Sequence, residues 1–203
     1  MKSKLWVFRD VNLSQRASLA QALSISPATA SLFLARGVTT PDEATTWMSL
    51  QPPHDPFLIP DMDQAVERLH RAVTTQEPIC FYGDYDVDGI TATSVYLSFF
   101  GGLGAQVRAY VPHRFREGYG LNLGAVQRLH DEGISLLVTS DCGTTSHKEI
   151  ALAARLGMDV VVTDHHQTDE DMPPAVAVLN PHRAGACYPF RGLCSAALAY
   201  KVA

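Results

Sequence analysis

The chain has 203 residues, 46% hydrophobic and 18% charged, which suits a globular fold and excludes disordered, collagen-like or coiled-coil readings. Sixteen Lys and Arg against 21 Asp and Glu give a formal net charge of -5, which argues against a protein that merely coats DNA. Cys80, Cys142, Cys187 and Cys194 lie singly with no CxxC pair, so neither a zinc ribbon nor a disulfide framework is expected. No run approaches about 18 apolar residues, so no signal peptide or membrane span is expected and the protein reads as cytoplasmic.

In chain order, residues 1 to 60 read as a small helical region. Apolar positions recur at helical spacing in Arg16 to Leu23, Ala28 to Leu34 and Asp42 to Met48, and Thr40-Pro41-Asp42 has the form of a helix start. Gln51 to Pro60, with four prolines in ten residues, cannot continue a helix and reads as a linker, placing a domain boundary there. Asp61 to Thr75 is an amphipathic helix with Met62, Ala65, Val66, Leu69 and Val73 on one stripe.

Residues 61 to 203 then read as one domain whose period changes after that helix. Short apolar runs at Pro78 to Tyr82, Val107 to Val111, Ile134 to Thr139, Val160 to Thr163 and Ala175 to Leu179 alternate with helices. The helices are expected at Ile90 to Phe100, Leu123 to Glu132 and Thr145 to Leu156, the last two stopped by Gly133 and Gly157. This predicts an α/β fold, an open, mostly parallel five-stranded sheet flanked by helices. The final CSAALAYKVA starts an apolar helix and stops with no capping residue, so the domain is expected to be truncated at its C-terminal end.

Polar clusters follow three of the apolar runs, and the carboxyl edge of a parallel sheet is where ligands bind. FYGDYDVDGIT carries Asp84, Asp86 and Asp88, TSDCGTT carries Asp141, and TDHHQTDE carries Asp164, His165 and His166. Five carboxylates on one edge repel unless a divalent cation offsets them. Asp and His donors without thiolate suit Mn²⁺ or a similar ion, and two ions together would activate water and clamp a phosphoryl oxygen.

Adjacent histidines on an extended backbone point to opposite sides, so one direct ligand is expected. His165 is assigned to metal and His166 to the scissile phosphate or leaving group, with Asp164 holding an imidazole in its tautomer. In VPHRFREGYGLN, Arg114 and Arg116 suit phosphate, and Tyr119, flanked by Gly118 and Gly120, suits stacking on a base or sugar. The NPHR run, with Asn180 and His182, is either a substrate contact or a loop cap. GLCSA, with Ser195, offers backbone N–H groups to an anion at a helix start.

These motifs, in this order from about Ile79 onward, resemble the DHH phosphoesterase superfamily and within it the RecJ-like single-stranded-DNA exonucleases. The resemblance implies a hydrolase that uses Mn²⁺, with two ions and Mg²⁺ as the alternative metal. It implies degradation of single-stranded DNA from the 5′ end to 5′-mononucleotides in DNA repair and recombination. It also implies a monomer with a single-strand-binding protein and a helicase as partners.

Carried over, Asp86, Asp88, Asp141 and His165 match metal ligands, Asp84 a neighbouring ligand or support, and His166 the histidine near the phosphate. Many relatives have a histidine where this chain has Tyr82, and relatives continue to a further metal-binding Asp and a second domain. Weak or absent activity is therefore expected of these residues alone. The alternatives are a phosphodiesterase for short oligoribonucleotides or cyclic dinucleotides, and a non-catalytic replication or repair scaffold. The acidic excess lies entirely after residue 75, nine basic against fourteen acidic side chains, and reads as the charge of a metal site.

Overall fold

The computed structural model describes residues 10–49, 53–168 and 171–203, which form two compact units divided between Pro53 and His54. In the first unit, α1 (Leu13–Leu23), α2 (Pro27–Ala35) and α3 (Pro41–Met48) each begin on a side-chain cap: Asn12, Ser26 and Thr40. Thr40 and Glu43 make a reciprocal capping box. Leu19, Ala30, Phe33 and Ala44 form this unit's core, with Trp47 edge-on to Phe33. No single helix among the described residues is long and apolar enough to cross a membrane.

The expected linker needs correction. Gln51 and Pro52 lie outside the described residues, but Pro56–Leu58 form a 3₁₀ turn and Ile59, 1% exposed, belongs to the second unit's core. His54 also packs edge-on against Tyr188. Residues 54–60 are thus part of the sheet-bearing unit rather than a free connector, because the prolines end helices without preventing Ile59 from being buried.

The second unit runs α4 (Met62–Thr74), β1 (Ile79–Gly83), α5 (Val87–Gly102), β2 (Val107–Tyr110), α6 (Leu123–Asp131), β3 (Leu136–Ser140), α7 (His147–Arg155), β4 (Asp159–Thr163), β5 (Ala177–Leu179) and α8 (Ser195–Val202). All strand pairs are parallel, in the order β2-β1-β3-β4-β5. Both sheet faces are covered, which is why the strands read as continuous apolar runs. Ile79, Phe81, Val138, Val161 and Leu179 pack toward α4, α5 and α8, whereas Cys80, Tyr82, Leu137, Val160 and Val162 face α6 and α7. Gly133 and Gly157, with φ of 82° and 79°, end α6 and α7 in the left-handed region, as expected.

Strand register fixes the height of the polar residues. Gly83 pairs with Ser140 and Ser140 with Thr163. One residue further on, Asp84 N–H donates to the Ser140 carbonyl, Asp141 N–H to Thr163 and Asp164 N–H to Leu179. Asp84, Asp141, Asp164 and Asn180 therefore form one row across the carboxyl edge. Because the chain leaves β1 for β2 on one side and returns to β3 on the other, this row spans the point where the connections diverge.

The turn between β1 and α5 is too tight for any side chain at Gly89. A Cβ there would lie 2.5 Å from the Asp84 carbonyl oxygen and 2.6 Å from its nitrogen, both backbone. Gly89→Ala is expected to destabilise the fold by about 3 kcal/mol, lowering the melting temperature by roughly 6–12 °C. An unchanged thermal transition would count against this packing.

Candidate metal and phosphate site

Asp84 is 2% exposed at the end of β1, and its Oδ1 is buried with no hydrogen-bond partner. Burial, and then the nearby Asp86 carboxylate, raise its pKa. Asp86 is exposed and caps α5, accepting from the N–H groups of Asp88 and Gly89 at 2.8 and 3.1 Å. The Gly89 N–H, foremost, holds its carboxyl below the usual range.

Asp141 is 3% exposed and sits at φ 65°, a left-handed conformation that Asp tolerates better than most residues. Burial and the neighbouring Asp88 and Asp86 carboxylates push its pKa up to about 6, against a hydrogen bond from Ser195.

Asp84, Asp86 and Asp141 each offer an oxygen within 4.8 Å of the others, and Asp141, His165 and His166 offer a second such group. Asp141 is common to both. The donors are oxygen and imidazole nitrogen, with Cys142 turned into the core, and one buried carboxylate oxygen is unpaired. This set fits hard or borderline divalent cations.

The structure revises the expected separation of the histidines. Their rings lie 4.9 Å apart, both within reach of Asp141. Alternation applies to an extended strand, but β4 ends at Thr163 and the Asp164 carboxylate bends the next residues into a turn by accepting from His165 N–H and His166 N–H. Asp164 Oδ1 also lies 2.7 Å from His166 Nδ1, while Oδ2 accepts from Thr144 N–H at 3.0 Å. Burial alone would raise the Asp164 pKa, but His166 and Thr144 more than offset it and bring it to about 2. The same pairing raises the His166 imidazole above its ordinary value. His166 is thus held through Nδ1, with Nε2 toward Tyr119 Oη at 3.3 Å.

Asp88, expected as a metal ligand, lies outside both groups. Its carboxylate accepts the N–H groups of Ser195 and Ala196 at 2.8 and 2.9 Å, which makes it the cap of α8, and its Oδ2 lies 3.4 Å from His165 Nε2. The anion that the GLCSA run receives is therefore the chain's own Asp88. Ser195 is fully buried and its Oγ donates to Asp141 Oδ1 at 2.9 Å, so it has no surface with which to meet substrate. Asn180 is likewise fully buried: its Nδ2 donates to the His166 carbonyl and to Thr144 Oγ1, and its Oδ1 accepts from His182 N–H. Ser195 thus bonds within the frame, and the bond from His182 N–H to Asn180 Oδ1 matches the loop-cap alternative for the NPHR run.

Arg114 and Arg116 are exposed on the loop after β2, and the Arg114 guanidinium lies over the Tyr85 ring at 5.1 Å. Tyr119 donates to the Asp141 carbonyl at 3.4 Å and packs edge-on to Tyr85 and His166. Gly118 and Gly120, at φ 83° and 75°, form the turn that presents it. Tyr82 is fully buried, stacked on Tyr110, and donates its hydroxyl to the Gly120 carbonyl at 2.9 Å, tethering the Gly-Tyr-Gly loop to the sheet. A cavity of about 240 Å³ beside His166 is walled by Tyr119, Leu121, Gly143, Thr144 and Ser146.

Sequence reasoning missed Tyr85, on which Arg114 rests, and Phe115, 90% exposed between the two arginines. The interleaving of basic and aromatic residues in HRFRE was the available signal for the second.

The fold and site define a doubly wound α/β protein with a carboxylate and imidazole cluster at its switch point. The chain belongs to the DHH family: residues 78–203 match the family's N-terminal domain. It is similar to the single-stranded-DNA-specific exonuclease RecJ of Bacillus subtilis, 38% identical over 200 residues, covering 98% of this chain and 25% of that protein. A crystal structure of exonuclease RecJ bound to manganese matches with TM-score 0.65 and 32% identity, covering 76% of this chain and 38% of the other. RecJ of Thermus thermophilus in complex with Mn²⁺ matches with TM-score 0.67 and 26% identity, over 95% of this chain and 26% of that one. The chain thus spans about a quarter of the length of the curated relative from Bacillus subtilis.

Proposed function

We propose that the protein containing this chain is a divalent-cation-dependent exonuclease that hydrolyses single-stranded DNA from the 5′ end to 5′-mononucleotides. The observation that carries this reading is the row of Asp84, Asp141 and Asp164 set by strand register, with both histidines beside it and the Arg114 loop at its rim. The likeness to RecJ proteins, two of them in complexes with manganese, supports it.

Asp84, Asp86, Asp141 and His165 would hold the metal, Mn²⁺ or Mg²⁺ and two ions by this reading, with His166 in reach. Such ions supply an activated water and stabilise charge on a phosphoryl oxygen. The remaining tasks fall to the chain. Arg114 and Arg116 bind backbone phosphates, and Tyr119 and Phe115 offer exposed rings to unpaired bases. Asp164 accepts the Nδ1 proton of His166 and favours the doubly protonated imidazole, so that Nε2 also carries a proton, which it would give to the departing oxygen. We place this activity in cytoplasmic DNA repair and recombination, carried out by a monomer that receives strands from a helicase and a single-strand-binding protein.

The test uses the intact protein with Mn²⁺ and 5′-labelled oligonucleotides, single-stranded or duplex, with dinucleotides as competitors. Labelled mononucleotide released from single strands is the expected product. Preference for dinucleotides, or digestion from the 3′ end, would overturn the reading.

A further inference from the structure

Two candidate site carboxylates converge on the start of α8. Asp88 accepts both Ser195 and Ala196 N–H groups, and Asp141 accepts the Ser195 hydroxyl. The two contacts with Ser195 are chemically separable. Its backbone N–H secures Asp88 whatever side chain the residue carries, whereas only its Oγ reaches Asp141. The hydroxyl is therefore not needed to cap the helix.

What it does is fix one oxygen of a carboxylate that belongs to both donor groups of the site. His165 Nε2 lies 3.1 Å from that same Asp141 Oδ1. An imidazole that ligates a cation presents a lone pair rather than a proton at the ligating nitrogen, so His165 then gives Oδ1 no hydrogen bond. The Ser195 hydroxyl remains as the donor that sets the plane of the Asp141 carboxylate.

We propose that Ser195 is a positioning residue of the cation site, acting through Asp141 without touching substrate. Its complete burial supports this assignment, since no strand or nucleotide reaches it. The proposal rests on the divalent-cation reading above. Donors that orient a metal-binding carboxylate typically contribute 10- to 100-fold to metal affinity.

The experiment measures Mn²⁺ affinity by titration calorimetry on the intact, metal-stripped protein, with the thermal transition recorded for each variant. S195A is expected to weaken Mn²⁺ about 10-fold while shifting the metal-free melting temperature little, because the backbone bonds to Asp88 persist. S195T, which restores the hydroxyl, is expected to recover the affinity. S195C keeps the volume with a weaker donor and should fall between them; it carries the test should S195A not fold.

Equal affinity in wild type, S195A and S195C would overturn the proposal while leaving the cation site standing. A wild-type protein that binds no Mn²⁺ would overturn both. A loss of affinity matched by a large loss of thermal stability in both S195A and S195C would assign Ser195 to folding alone and also reject the proposal.

Discussion

Asp141→Asn in the intact protein is expected to abolish cation binding and strand degradation while making the cation-free fold more stable. Asp141 is the residue shared by both donor groups, so its loss removes a charged ligand from each. Turnover should fall at least about a thousandfold, the scale expected when the charge at a reacting centre is removed.

The stability half follows from the sign of the pKa shift. The folded value, about 6, lies above the ordinary carboxylate value of 3.8. Keeping the group ionised therefore costs stability at every pH above about 6, and the cost is relieved as pH falls through 6 toward 3.8. Asn retains an oxygen for the Ser195 hydroxyl and carries no charge. Discounted for solvent screening, the gain is about 1 kcal/mol, or about 2–4 °C in a chain of this size. Calorimetric scans with and without Mn²⁺ check both halves. A lower melting temperature in the cation-free Asn variant, or retained nuclease activity, would refute them.

The second large effect is expected at Asp164. Four N–H groups converge on this carboxylate: the backbone donors of His165, His166 and Thr144, and Nδ1 of His166. Asp164→Asn places an amide donor among donors and removes the charge that favours the doubly protonated His166, so that Nε2 is less able to supply a proton. A change of that kind at a catalytic imidazole lowers turnover by roughly 10²- to 10⁴-fold.

Asp164 also makes stability depend on pH. Its folded pKa of about 2 lies below 3.8, so the contribution is present above about pH 4 and is lost as pH falls toward 2. The Asn variant should show a flatter stability profile across that window, measured by denaturant unfolding at several pH values. Wild-type turnover in Asp164→Asn would remove Asp164 from the mechanism.

Much of this arrangement was written locally in the chain. Apolar runs closed by Asp-bearing turns marked the carboxyl ends of β1, β3 and β4, because a strand buried on both faces confines its charged residues to its ends. The helix starts at Asn12, Ser26 and Thr40 likewise depend on bonds within a few residues. The roles of Asp88, Ser195 and Asn180 were not legible, since each is set by a partner far along the sequence: 107 residues away for the Asp88 bond to Ser195 N–H, and 36 for the Asn180 bond to Thr144. Inferring the histidine orientations from strand alternation failed because Asp164 spends its carboxylate on the backbone just after β4. The division between Pro53 and His54 falls inside the proline-rich stretch, but the packing of residues 54–60 was not legible, because proline content reports where helices cannot run, whereas Ile59 reveals its burial only in three dimensions.

The clamp between Asp88 and the start of α8 has a consequence for the order of events during synthesis. Parallel pairing of β1 with β3 requires a long crossover, and the clamp closes a loop of 107 residues on top of it. Contacts of such separation form late in folding. A nascent chain that has emerged as far as β4 already carries the row of aspartates, but Asp88 has no helix to cap and Asp141 has no hydroxyl to orient it. The arrangement of these aspartates is thereby coupled to the formation of α8, far along the chain from β1.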